Sequence, residues 1–91
     1  MTTMTKATII TWVSQQAQVG NISLHDERSK KLAEMYAAGK TDGNPNMISP
    51  NVTIREWIDQ AAAEEFRDFM LGLDEKYGPG LILSIVIEDA N

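Results

Sequence analysis

Trp12, Arg55 and Trp57 are the residues of this chain whose types and spacing could hold a ligand. An indole offers a flat apolar face and one N–H donor, and a guanidinium beside an aromatic ring offers a cation to an anionic group. Arg55 and Trp57 stand two apart, which on an extended strand places them on one face. The competing interpretation is structural. A thin core needs its largest side chains for burial or as interface anchors, and surface arginines pair with carboxylates more often than they bind substrates. His25 falls in the first turn of an expected helix, where the dipole disfavours the imidazolium. No nucleophile or second acid at a recognisable spacing orients it, so it reads as a solvated residue and no catalytic residue is assigned. Asp42, Asn44 and Asn46 alternate like the oxygen ligands of a calcium loop, but Pro45 interrupts them, the glycine is misplaced and no glutamate closes the loop, so no metal site is expected. Glu64, Glu65 and Asp68 read as a solvated helix face.

Composition narrows the chemistry further. The 91 residues suffice for a single domain over 1–91, and a core this small favours self-association. The absence of cysteine removes disulfides, thiolate nucleophiles and cysteine-ligated metals, and one histidine cannot build a two-histidine site within one chain. Thirteen Asp and Glu against eight Lys and Arg give a net charge of −5, so an acidic protein without nucleic-acid partners is expected. The basic run Arg28, Lys30 and Lys31 is flanked by Asp26, Glu27 and Glu34. Nothing approaches the ~20 apolar residues of a membrane span, and the first residues lack the apolar stretch of a signal peptide, so a cytoplasmic protein without membrane contact is expected.

The elements that must position these residues follow from periodicity. Lys6 to Gln15 alternates with period two in β-branched and aromatic types and predicts a strand, followed by a polar turn ending at Gly20 and Asn21. Ser23 with Asp26 fits a capping box, which predicts a helix to Ala38 with Leu32, Met35 and Tyr36 on one face, ended by Gly39. Asp26–Lys30 and Glu27–Lys31 have the favourable i,i+4 spacing. Lys40 to Pro50 reads as the longest loop, and Val52 to Ile58 as a strand with Thr53, Arg55 and Trp57 on one side. Asp59 caps a five-turn helix carrying Ala62, Phe66, Phe69, Met70, Leu73 and Tyr77, which Gly78-Pro79-Gly80 stops before a strand over Leu81 to Glu88. The stretches from Thr8 to Ala17 and from Thr53 to Ala62 echo each other, which reads as two strands that end alike.

Strand, helix, strand, helix, strand predicts an α+β, ferredoxin-like sandwich: a small antiparallel sheet with two helices on one face. Such a sheet needs a fourth strand, for which only Met47-Ile48-Ser49 or the segment Gln16 to Val19 is available. Apolar residues on both faces of the strands predict that a second copy covers the other face, giving a homodimeric barrel-like interface.

The stretch from Arg55 through Trp57 and Asp59 into Ala61-Ala62-Ala63-Glu64-Glu65-Phe66 resembles the strand-to-helix passage of dimeric α+β barrel proteins. The likeness is to antibiotic-biosynthesis-monooxygenase-like and uncharacterised environmental or phage-type members, from Val52 to about Tyr77. The resemblance implies a homodimer with a pocket between sheet and helices and, in enzymatic members, oxidation of a polyphenolic substrate without cofactor, or haem degradation. The haem-degrading members carry a histidine on the matching helix; Asp59 to Tyr77 holds none, so no haem or other cofactor is expected.

The leading expectation is a non-enzymatic homodimeric module that binds a small molecule or a protein. The alternatives are a cofactor-free oxygenase with Trp12, Arg55 and Trp57 lining its pocket, and a phage-type inhibitor of a basic host protein. Cavity and packing discriminate them: a ligand-handling chain holds an internal cavity lined by polar groups, and a pure interaction module is packed solid and exposes a patch.

Overall fold

A computed structural model of the chain describes residues 3–42 and 45–90, with residues 45–48 by their backbone. Gly43, Asn44 and the side chain of Asn46, which entered the calcium-loop comparison, lie outside the described residues.

The first strand, β1, spans Lys6–Trp12 and ends three residues before the expected boundary. The cause is a helical turn, α1, over Gln15–Val19 where a polar turn or a fourth strand was expected. Ser14 begins it, its Oγ accepting from the Ala17 N–H at 3.2 Å. Gly20 closes it because a Cβ there would stand 2.5 Å from the Gln16 carbonyl oxygen, which its own N–H uses as acceptor. The next helix, α2, spans Ile22–Ala37. Its N-cap is Asn21, whose Oδ1 accepts from the Leu24 N–H at 2.9 Å, and not the expected Ser23, which lies within the first turn. Gly39, at φ 76°, takes the left-handed conformation that ends the helix.

Strand β2, Pro45–Ser49, falls on one of the two segments available for a fourth strand and pairs with β3, Val52–Trp57. Asp59 caps α3, Gln60–Tyr77, as expected, its Oδ1 accepting from the Ala62 N–H at 2.8 Å. The chain then returns as β4, Ile82–Asp89, whose entry is held by Asp74: one carboxylate oxygen accepts from the N–H groups of Leu81 and Ile82, at 2.8 and 3.0 Å.

The four strands form one antiparallel sheet in the order β2-β3-β1-β4, an α+β arrangement compatible with a ferredoxin-like fold. Residues directly opposite across a ladder share a face. The register therefore builds rows on the helix side from Arg55, Thr8 and Ile87 and from Thr53, Ile10 and Ile85. The opposite side carries the row Ile54, Ile9 and Val86. Three helices, rather than the expected two, contribute to the core. Ala17 of α1, Leu24 and Met35 of α2, and Ala63, Phe66 and Met70 of α3 pack with Trp12 and Trp57 of the sheet. Trp57 and Phe66 are fully buried with ring centroids 4.7 Å apart, and the Trp57 indole N–H donates to Thr8 Oγ1 at 2.9 Å. Tyr36, expected on the apolar face of α2, is exposed.

Ion pairs fasten α2 to α3 in place of the i,i+4 pairs expected within α2. Lys31 and Lys40 both reach Glu65 at 2.8 Å. Glu27 accepts from Lys76 Nζ at 3.1 Å and from the Tyr77 hydroxyl. These hydrogen bonds hold the Glu27 and Glu65 carboxyls below their ordinary pKa. Among the described residues no helix is long and apolar enough to cross a membrane.

Candidate functional site

The helix-side rows of β1 and β3 do not meet α1 and α2 everywhere. Where the short α1 turns the chain away from the sheet, a cavity of about 200 Å³ opens between the strands and the two helices. Its apolar wall includes Ile10 and Trp12 of β1 and Phe66 of α3. Its polar wall brings together Gln18 of α1, Arg28 of α2, and Thr53 and Arg55 of β3, with His25 of α2 also lining it. No Asp or Glu lines it among the described residues.

Each polar group has an assignable state. Gln18 is buried and fully engaged: its Nε2 donates to the Pro50 carbonyl at 2.6 Å and its Oε1 accepts from Thr53 Oγ1 at 2.7 Å. This pair ties α1 to the β2–β3 turn and fixes the cavity's side wall. Arg28 lies over the Trp12 ring, 5.7 Å from its centroid, and its Nη1 reaches the Gln18 carbonyl at 3.4 Å. Burial pulls the Arg28 guanidinium below its ordinary pKa. Arg55 is pulled further down, to about 10, first by burial and then by the like charge of Arg28. Among the described residues neither arginine has a carboxylate within ion-pair distance. Trp12 is 1% exposed, and its indole N–H is a buried donor without a hydrogen-bond partner. Two guanidiniums, both donors only, thus border one cavity. His25 is exposed, with Nδ1 3.9 Å from the Asp26 carboxylate.

Three acids of α2 and α3 are engaged elsewhere. Glu27 is held by Lys76 and Tyr77, Glu65 by Lys31 and Lys40, and Asp74 by backbone N–H groups. An uncompensated cation beside another cation in a partly buried site is a costly arrangement, and such groups concentrate where a ligand completes them.

Of the three ligand-binding residues read from the sequence, Trp12 and Arg55 come together at this cavity. Trp57 does not: its ring is packed on Phe66 and its N–H is engaged by Thr8. Its strand position puts it on the same face as Arg55, but at the far end of the ladder, opposite Lys6. Arg28 and Gln18 were missed. For Arg28 a signal existed, since Leu24, Arg28 and Met35 recur at helical spacing and place the arginine on the buried stripe of α2. Among the described residues no group of three or more His, Asp or Glu side chains gathers as metal ligands would. Compared with known proteins, the chain matches no family model, no curated protein and no solved structure.

Proposed function

We propose that the chain is a non-enzymatic binding module that holds a small molecule between its sheet and its first two helices. The observation that carries this reading is the pair of guanidiniums, Arg28 and Arg55, that line a cavity of about 200 Å³ with no carboxylate within ion-pair distance among the described residues. A like-charged pair held without a counterion in a partly buried site is costly. A ligand acceptor in the cavity offsets that cost. The cavity also favours ligand binding over a module packed solid for protein contact. Binding rather than catalysis is supported by the lining itself, which holds hydrogen-bond donors but no nucleophile set against an oriented base.

The reading includes a ferredoxin-like organisation in which two copies pair through the sheet face that the helices leave open. Ile9, Ile54 and Val86 form an aligned apolar row there, with Val86 44% exposed in the single chain. Native mass spectrometry of freshly purified protein tests both parts. A dimer with additional bound mass is expected. A bare species that also fails to gain mass with a small-molecule library overturns the ligand reading, and a monomer overturns the pairing.

A further inference from the structure

The charge and size of the cavity identify the class of ligand, a step that rests on the ligand-binding reading above. The protein as a whole is acidic, at −5, yet its cavity carries Arg28 and Arg55 and no carboxylate among the described residues. For Arg55 the sequence offers an edge or interface salt bridge with the neighbours of Glu56 or the acidic helix, and the register removes the acid adjacent in sequence. Glu56 follows Arg55 on the strand and therefore faces the other side of the sheet, opposite Ala7. Two like charges held together without a protein counterion mark a place for an anion, and the fork of an arginine matches a planar carboxylate or the oxygens of a phosphate.

Size and wall chemistry decide what carries the anion. A cavity of about 150 Å³ takes a benzene ring, whereas drug-sized ligands occupy roughly 300–1,000 Å³. At 200 Å³ this cavity takes one ring with a short substituent. The accessible lining is more apolar than polar, and a bare phosphate would leave that apolar surface without contact. We propose that the ligand is a small organic acid of single-ring size whose carboxylate is held by Arg28 and Arg55 and whose apolar body lies against the apolar part of the cavity lining.

Calorimetric titration of the purified full chain with benzoate, benzamide and inorganic phosphate tests this. Benzoate and benzamide share size and shape and differ in charge; phosphate has charge and no apolar body. Benzoate is expected to bind at least about tenfold more tightly than either. Arg55→Gln and Arg28→Gln are each expected to lower benzoate affinity by about tenfold or more and to leave benzamide affinity within about twofold, with thermal midpoints no lower than that of the parent. Equal affinity for benzoate and benzamide overturns the anion assignment and leaves the ligand-binding reading standing. Tighter binding of phosphate overturns the apolar body. Failure of all three to bind at millimolar concentration overturns this inference, and a library that still finds a neutral binder then separates its failure from that of the ligand-binding reading.

Discussion

Replacing Arg55 by Met removes a guanidinium that the fold holds without a carboxylate partner, and the ligand-free protein should become more stable. A pKa pulled from the ordinary arginine range down to about 10 means that the fold disfavours the charged form. At about 1.4 kcal/mol for each tenfold change this corresponds to about 3 kcal/mol, and solvent entering the partly open site reduces it to about 1–2 kcal/mol. Methionine keeps the apolar stem that lies along the cavity wall, so the loss of packing is small. The sign with pH follows from linkage. The group is a base whose folded pKa lies below its unfolded one, so the penalty is fully present below about pH 10 and disappears only as pH rises towards the unfolded value. The gain from Arg55→Met should therefore be constant between about pH 6 and 9. For a domain of this length it should raise the thermal midpoint by roughly 5–10 °C, measured by calorimetry or by circular dichroism without ligand. Benzoate should raise the midpoint of the parent and leave that of the variant unchanged. A variant midpoint equal to or below that of the parent would refute the reasoning, because it would mean that Arg55 has a stabilising partner and is not held for a ligand.

Thr8→Val keeps the shape of a buried side chain but leaves the Trp57 indole N–H without its acceptor; denaturant unfolding should show a loss of about 1–3 kcal/mol at an unchanged slope, and no loss would remove Thr8 from the account of the core. Ile54→Glu puts a charge into the open apolar row; sedimentation should show a monomer with the benzoate affinity of the parent, whereas a persisting dimer would place the interface elsewhere. Glu27, Glu65 and Asp89 all have carboxyl pKa values depressed by hydrogen bonds from their partners. Their stability contribution is thus present above the unfolded carboxylate range and lost as pH falls through the lower folded values, so the midpoint should decline below about pH 5, and Glu27→Gln should remove part of the decline. A midpoint as steep in pH for Glu27→Gln as for the parent would show that the α2–α3 pair contributes nothing.

Much of the architecture was legible because it rests on strong local signals. The period-two run from Lys6 marks a strand; Asp59, the apolar stripe from Ala62 to Tyr77 and Gly78-Pro79 mark a helix with both ends. The short α1 was not legible. A five-residue helix has no room for a periodic pattern, and its polar composition resembles a turn; it exists because Ser14 caps it and because Gln18 finds the Pro50 carbonyl and Thr53, 32 and 35 residues away. The cap of α2 was misplaced for a related reason. Ser23 and Asp26 match a capping pattern, but Asn21 lies two residues earlier, directly after the Gly20 joint, and a chain that turns there must begin its helix at once.

The candidate site was half legible, and the division is physical. Strand alternation sufficed to put Arg55 on the inner face, and the strand register then sets it opposite Thr8, in the ladder that runs towards Trp12. Alternation could not separate Trp12 from Trp57, since both are large, both face the helices and both are buried. They differ in one hydrogen bond: Thr8 supplies an acceptor to Trp57, and nothing supplies one to Trp12. Arg28 was hidden by its neighbours, because Lys30 and Lys31 make the segment look like a solvated basic run, yet only the arginine falls on the stripe between Leu24 and Met35. A charged residue on the buried stripe of a helix, without an acid set against it, conflicts with the pattern that folds the rest of the chain. In a domain this thin such a conflict persists where a ligand resolves it.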